Sequence, residues 1–338
     1  MGWLKIRNLV GVLSVLVIGV SGATAATVGR KVVIAYGVVT SEGLPLWIAK
    51  ERRFFEKYGL EPDLVLVQGA PPTISGLIAG DIHMGYTGGT GVVGGAAAGA
   101  DLKIVATFLN RQTLRLIARP EIMKTEDLRG KRFGVQTLGG ANWMMSMLAL
   151  EQLGLEPQRD NIQVLNSGGS PLRAQALEAR SIDFTVFADV SFAGMLTQKG
   201  FRLLAEIPPI PFTSLGIVVA RGYIQRQGDV VENTLKALTE GVAFGLSPER
   251  KAATIQLMMK RLKIGSGAAE EGYNEFVKNT ERKPYTLIAG LQNIQRLMKF
   301  YNPQVTKIDI QELVDGSFVQ KLDRSGFLDR LHSAYGVK

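Results

Sequence analysis

The feature that most constrains the fold of this chain is an internal repeat. The tetrapeptide Gly-Leu-Glu-Pro occurs at residues 59–62 and again, roughly 95 residues later, at 154–157. In both places it follows a helical pattern and precedes a strand-like run, and residues 177–183 similarly echo residues 77–83. A unit of this length is too long for a solenoid repeat and matches a duplicated α/β lobe. We therefore expect two related lobes.

Strand-like and helical runs alternate along both copies of the repeat, which predicts α/β layers with parallel strands. In the first copy, apolar residues recur at three- and four-residue steps over residues 45–58. This spacing predicts one amphipathic helix. Gly59 and Pro62 follow it and are expected to end it.

Two apolar segments connect the copies. Residues 114–118 and 215–220 predict strands that cross between the lobes, and the chain beyond them has a helical pattern. We expect residues 26–115 and 213–338 to form lobe one with its C-terminal helices, and residues 116–212 to form an inserted lobe two. Two crossing segments allow one lobe to rotate against the other. This interpretation expects two separate sheets whose edges face each other across a cleft.

The first 25 residues have the pattern of a secretory signal peptide. Lys5 and Arg7 precede an apolar run at residues 9–20, and small residues follow at 23–25. A membrane-spanning helix needs about 20 apolar residues, and this run is shorter. We therefore expect residues 1–25 to be cleaved off and the mature protein to be exported to the periplasm.

The composition excludes several kinds of chemistry. The chain has no cysteine and two histidines, His83 and His332, so disulfides, thiolate metal sites, cysteine nucleophiles and imidazole clusters are excluded. No nucleophile–base pair or carboxylate cluster occurs at a meaningful spacing, so we expect no catalytic residue, metal or cofactor. The 39 basic residues exceed the 30 acidic ones, but they are scattered, which disfavours nucleic acid as a partner.

Candidate ligand-binding positions follow from the repeat. In parallel sheets, ligands bind beyond the carboxyl ends of the strands and beside helix N-termini, which favour anionic groups. The six loops at these positions are rich in Gly, Ser, Thr, Asn and Gln: 37–43, 68–73, 87–91, 136–142, 166–170 and 188–191. Such residues are also common in plain turns, and the recurrence in both copies is what favours a binding site.

Individual residues in and near these loops have alternative interpretations. Asp189 either receives an ammonium or hydroxyl group of a ligand or caps the helix that follows it. Trp143 and Phe212 are candidate apolar walls, although large aromatic residues more often belong to the core. Glu42 is expected to be a surface residue favoured by the helix dipole. Arg115, near the first crossing, is expected to pair either with an anion or with a neighbouring lobe.

Five segments carry a resemblance to a known family: 43–50, 54–60, 79–82, 127–135 and 166–171. In these segments the chain resembles the periplasmic solute-binding proteins of ABC importers, in the branch of nitrate-, sulfonate-, taurine- and thiamine-pyrimidine-binding proteins. The likeness spans about residues 30–220. It implies the bilobal type II periplasmic binding protein fold, in which two α/β lobes are joined by two crossing strands, close on a ligand and dock on a membrane permease.

The resemblance also implies which residues contact the ligand. They are Thr40, Ser41, Thr87, Gly88, Thr90, Gln136, Thr137, Gly139, Asn142 and Asp189. The loop and wall candidates added to this set are Gly69, Ser167, Gly168, Trp143 and Phe212.

We therefore expect a monomeric, non-enzymatic binding protein of an ABC transporter that captures a small organic, anionic or aromatic solute. Two alternatives stay open: an exported lyase or hydrolase of the same fold, and a ligand-sensing subunit of a membrane receptor. Desulfinases and pyrimidine-precursor synthases of this fold use cysteine chemistry, which does not carry over to a chain without cysteine.

Overall fold

The computed structural model describes residue 1 and residues 29–37, 39–67, 69–188 and 190–337. Apart from Met1, the predicted signal peptide lies outside the described residues, as does Asp189. Within the described ranges, no helix combines the length and the apolar character that a membrane span requires.

The first half of the fold is a three-stranded parallel unit with helices between the strands. Strand β1 pairs with β2 on one side and with β3 on the other, both in parallel. The elements are β1 (Arg30–Tyr36), α1 (Leu44–Glu51), α2 (Phe54–Lys57), β2 (Leu60–Leu66), α3 (Ala70–Ala79), β3 (Met84–Thr87) and α4 (Gly89–Ala97).

The prediction of one helix over residues 45–58 was wrong, because the chain turns between α1 and α2. Arg53 takes a left-handed conformation with a φ of 58°, and the turn brings both Phe54 and Phe55 into the core. Gly59, with a φ of 75°, ends α2 as expected, and its repeat counterpart Gly154 has a φ of 70°. Both positions use the left-handed region that glycine enters without a steric penalty.

The second half repeats this arrangement. Strand β5 pairs in parallel with β6 and β7, so the strand order second–first–third is the same in both halves. The elements are β5 (Arg132–Val135), α5 (Ala141–Gln152), β6 (Gln163–Asn166), α6 (Ser170–Glu178), β7 (Phe184–Phe187) and α7 (Val190–Gln198).

Two long antiparallel strands connect the halves. Strand β4 (Leu102–Ala118) has 17 residues and β8 (Arg202–Ala220) has 19 residues. They pair along their whole length, with register shifts at five points between Ile104 and Ile117. Such irregularities disrupt the ladder locally.

The expectation of two separate sheets was wrong. The hydrogen-bonded order runs through all eight strands as β2-β1-β3-β8-β4-β7-β5-β6. The crossing strands are much longer than the apolar segments that predicted them, and they pair with each other and with one half each, so together they join the two halves into one sheet. Strand β8 pairs with β3, and β4 pairs with β7. The core is likewise shared, because one apolar cluster contains Ile104 from one end of β4 and Leu116 from the other.

The remaining chain is helical and packs mainly on the first half. Helix α8 lies against α1 and α2, and α11 lies between α4 and α5. Glu240 of α8 is buried and accepts hydrogen bonds from Lys57, Tyr58 and Tyr335, which fastens the last helix to the first half. The helices are α8 (Arg221–Leu246), α9 (Lys251–Leu262), α10 (Ser266–Asn279), α11 (Ile288–Met298), α12 (Ser317–Arg324) and α13 (Phe327–Ala334).

Candidate functional site

A cavity of about 280 Å³ lies between the two halves of the fold. Residues 40–42 line it from the first half, and the loop and helix starts after β5, β6 and β7 line it from the second. The middle of β4 and helix α10 complete the wall. The carboxyl-end loops of both halves therefore face one space, although the sheet itself is continuous.

Four of the predicted ligand-binding residues line this cavity: Thr40, Ser41, Gln136 and Asn142. Asn142 also shapes the loop before it, because its Oδ1 accepts a hydrogen bond of 2.9 Å from the backbone N–H of Gln136. The other described candidates are not among the lining residues: Gly69, Thr87, Gly88, Thr90, Thr137, Gly139, Trp143, Ser167, Gly168 and Phe212.

The fold explains where these other residues lie. Thr87 pairs with Gly216 of β8, so the crossing strand occupies the space beside the loop that follows β3. Strands β2 and β6 are the outermost in the sheet. Gly69 and Ser167 follow these strands and therefore lie near the edges of the sheet, away from the crossing strands. Phe212 is 2% exposed within the core, and the Trp143 ring packs edge-on against that of Tyr301 at 6.2 Å.

Arg173 is a lining residue that the sequence analysis missed. It lies on α6 and is 2% exposed. Its Nη1 donates to the carbonyl oxygen of Gly168 at 2.9 Å and its Nη2 to Ser170 Oγ at 3.2 Å, whereas its buried Nε has no partner among the described residues. Its guanidinium carbon lies 5.2 Å from the centre of the Phe187 ring. The sequence signal that could have identified it is a basic residue in the first turn of a helix that follows a strand, and this signal was recognised only after the structure was known.

The charge of Arg173 is not balanced by the described residues. None of their carboxylates forms an ion pair with it, and desolvation lowers the pKa of its guanidinium to about 10. The side chain is still protonated at neutral pH. Because a buried, unpaired charge is strongly destabilising, the cavity is prepared to receive a negative group.

Helix N-termini add to this preference. Ala141, Ser170 and Val190 are the first residues of α5, α6 and α7, and all three line the cavity. Helices α5 and α6 have no side-chain cap, so their first N–H groups stay available. Each such terminus carries a partial positive charge that attracts anions.

The first half and the crossing strand contribute hydrogen-bonding groups. Glu42 was expected at the surface, but it lines the cavity, because its carbonyl oxygen accepts a bond of 3.0 Å from the buried Tyr86 hydroxyl. Gln112 Nε2 donates to Glu42 Oε1 at 2.6 Å. Within the part of the chain that the structure describes, three further buried atoms of lining residues have no partner: Thr40 Oγ1, Gln112 Oε1 and Thr113 Oγ1.

Helix α10 forms a wall that the sequence analysis also missed. Glu275 on this helix lines the cavity and accepts hydrogen bonds from Asn279 and from Arg115. Arg115 therefore pairs with a carboxylate of the C-terminal helices, not with a free anion. Most of the remaining lining is apolar and includes Phe108 and Phe276. Among the described residues, the cavity thus combines one cation without a carboxylate partner, two hydrogen-bonded carboxylates, neutral polar groups and apolar surface.

This architecture, with two α/β halves joined by two crossing strands around a cavity, is the bilobal periplasmic binding protein fold. The chain belongs to the NMT1/THI5-like family, whose model matches residues 41–251. This membership confirms the resemblance found in the sequence.

Individual relatives fit this assignment. A relative from Escherichia coli (strain K12), named for the binding of aliphatic sulfonates, is 24% identical over 274 residues, which are 79% of this chain and 84% of that protein. The periplasmic aliphatic sulphonate binding protein SsuA from Escherichia coli has the same fold, with a TM-score of 0.68 and 21% identity over 86% of this chain and 99% of that one. The desulfurization enzyme DSZB also shares the fold, with a TM-score of 0.63 and 15% identity over 87% of this chain and 99% of that one.

Proposed function

We propose that this protein is the exported substrate-binding protein of an ABC transporter, and that it captures a small organic anion and delivers it to a membrane permease. The observation that carries the proposal is Arg173, a buried cation without a carboxylate partner among the described residues, in the wall of a cavity between the two halves of the fold.

We expect the acid group of the ligand to bind in the second half, beside Arg173. A carboxylate or sulfonate near Arg173 would supply the missing counter-charge and accept a hydrogen bond from its free Nε. Charge-assisted bonds of this kind are about twice as strong as neutral ones. The nearby starts of α5 and α6 would offer backbone N–H groups to the remaining oxygens. The names of the relatives favour a sulfonate.

The size of the cavity limits the rest of the ligand. At about 280 Å³, it lies at the lower end of the range for small-molecule sites, which is about 300–1,000 Å³. The side chains of Phe108 and Phe276 offer apolar contact. A short aliphatic chain or a single ring fits this description. Closure on such a ligand would be driven by its higher affinity for the closed form.

Export and delivery complete the proposal. The pattern of residues 1–25 supports cleavage of a signal peptide and a periplasmic location. We assign residues 26–115 and 213–338 to one lobe and residues 116–212 to the other. We propose that the protein acts as a monomer.

We propose a binding protein and not an enzyme. DSZB shares the fold, but the present chain has no cysteine, and the described residues hold no group of three or more acidic or histidine side chains suited to a metal. A role as a sensor subunit would use the same cavity and would differ only in the membrane partner.

Titration calorimetry on the purified mature chain tests this proposal. Ethanesulfonate, propanoate and a neutral analogue, propanamide, are compared for the wild type and for Arg173→Met. We expect at least one anion to bind the wild type and none to bind the variant. Arg129→Met is the matched control, because this exposed arginine pairs with Asp160 away from the cavity. Equal binding of the neutral analogue, or full binding by Arg173→Met, would contradict the proposal.

A further inference from the structure

Gln112 lies in the middle of crossing strand β4 and is 7% exposed. Its side chain lines the cavity, and its Nε2 donates to Glu42 Oε1 at 2.6 Å. An ionised carboxylate can only accept hydrogen bonds. The amide orientation is therefore determined by its neighbour, because the reverse orientation would place two acceptors against each other.

This fixed orientation leaves one atom unsatisfied. Gln112 Oε1 is buried and has no hydrogen-bond partner among the described residues. Nearly all buried carbonyl groups in folded proteins have a partner, and an exception calls for an explanation. Oε1 is an acceptor, so the group that would satisfy it is a donor.

The geometry points to Gln112 as a specificity-determining residue. It selects, among small organic anions, those that carry a hydroxyl or ammonium donor at the end remote from the acid group. The inference rests on the proposed function, because it takes the acid group to lie at Arg173. The Arg173 side chain belongs to the second half, whereas the Gln112 side chain is hydrogen-bonded to Glu42 of the first half. A ligand with an acid at one end and a donor at the other would therefore bridge both halves.

The neighbouring groups are consistent with a donor at this end. The Glu42 carboxylate, which the Gln112 amide holds in place, adds negative charge beside Oε1. The hydroxyl of Thr113, the next residue on β4, is also buried without a partner. A hydroxyl can donate or accept, so it fits either a hydroxyl or an ammonium group. An apolar ligand end would leave Oε1 unsatisfied in the complex.

Three ligands that share one acid group test the inference: ethanesulfonate, 2-hydroxyethanesulfonate and 2-aminoethanesulfonate. Calorimetry on the wild-type mature chain is expected to show at least one donor-bearing ligand binding about tenfold more tightly than ethanesulfonate. Gln112→Met keeps the side-chain length and removes both polar atoms, so it is expected to abolish this difference between the three ligands.

Thr213→Val is the matched control. Thr213 is buried with an unpartnered hydroxyl, like Thr113, but it does not line the cavity, so the preference should persist in this variant. Equal affinities for the three ligands in the wild type would overturn the inference, and so would an unchanged preference in Gln112→Met. Equal affinities in the wild type overturn the inference whether or not Gln112→Met folds.

If the proposed function is wrong, the experiment gives a different result from the one expected if this inference alone is wrong. If the sulfonates do not bind, the same comparison is made with propanoate, 3-hydroxypropanoate and 3-aminopropanoate. Equal binding of these three overturns the inference alone, because an anion still binds. Absence of binding by all six compounds overturns the proposed function and this inference with it.

Discussion

Arg115 Nη2 lies 2.6 Å from Glu275 Oε1, and this ion pair fastens helix α10 to the crossing strand β4 beside the cavity. Both side chains are largely buried, at 10% and 17% exposure. Glu206 on β8 lies 3.5 Å from the same nitrogen of Arg115. The wall formed by α10 is thus held by charges on both crossing strands.

Removing the carboxylate of this pair should destabilise the protein. In Glu275→Gln the buried Arg115 loses its charged partner at 2.6 Å and keeps the longer ion pair with Glu206, so we expect the free energy of unfolding to fall by about 1–3 kcal/mol. Urea denaturation measures this change. Lys278→Met is the matched control, because Lys278 pairs with Glu206 at the surface, where the expected loss is about 0–1 kcal/mol. Equal losses in the two variants would show that the buried pair does not hold the helix.

Arg173→Met should have opposite effects on ligand binding and on stability. The variant lacks the cation that the anion needs, but it also removes a buried charge that has no carboxylate partner among the described residues. Apolar replacement of buried charges is often neutral or stabilising. We therefore expect the free energy of unfolding without ligand to stay the same or to rise by about 1 kcal/mol. A loss above about 2 kcal/mol in urea denaturation would assign Arg173 a structural role instead.

Binding of an anion should weaken at high pH. Burial lowers the pKa of Arg173 to about 10, so the side chain stays charged between pH 6 and 9 and loses its proton above about pH 10. The dissociation constant should be flat over the lower range and then rise by about tenfold per pH unit. Calorimetry at pH 7, 9 and 10.5 measures this. A constant affinity through pH 10.5 would show that the guanidinium charge is not used.

His332 should lower stability in acid. It is 6% exposed, its Nε2 lies 2.8 Å from the Arg282 carbonyl oxygen, and no described residue is a partner for its buried Nδ1. The carbonyl requires Nε2 to carry the proton, so acid would add a proton at the unpartnered Nδ1. Burial lowers the pKa of His332, and the unfolded chain therefore binds more protons as the pH falls below about 6.5, which favours unfolding.

Substitution of His332 tests this pH dependence. Glutamine retains a donor for the Arg282 carbonyl group and cannot titrate. Urea denaturation of the wild type and of His332→Gln is compared at pH 7.5 and 5.5, and the wild type should lose more stability between the two values. Any loss that remains in the variant reports other groups, His83 among them, because burial also lowers its pKa. Identical pH dependence in both proteins would exclude a contribution from His332.

The sequence predicted those features of the fold that depend on local sequence patterns. The alternation of strands and helices in each half, the crossing strands and the helix stop at Gly59 follow from apolar periodicity and from a repeat. Of the site, Thr40, Ser41, Gln136 and Asn142 were placed in the cavity wall. These four lie in loops next to the central strands β1 and β5, where the rule for parallel sheets applies directly.

The rest of the site depends on packing that no local pattern encodes. Arg173 was not recognised from the sequence, because a charged residue in the first turn of a helix is usually exposed to solvent. The Glu42 carbonyl group accepts a hydrogen bond from the hydroxyl of Tyr86, which is 44 residues away in the chain. Glu275 belongs to a helix whose position is set by an ion pair to Arg115 across 160 residues. Contacts at such separations appear only in three dimensions.

The central claim is that Arg173 receives the acid group of the ligand. A crystal structure of the mature protein grown with the tightest-binding anion tests it most directly. We predict density for the acid group in the cavity, with an oxygen about 2.7–2.9 Å from Arg173 Nε. Density for the anion elsewhere, with the Arg173 guanidinium still facing no acceptor, would contradict the account.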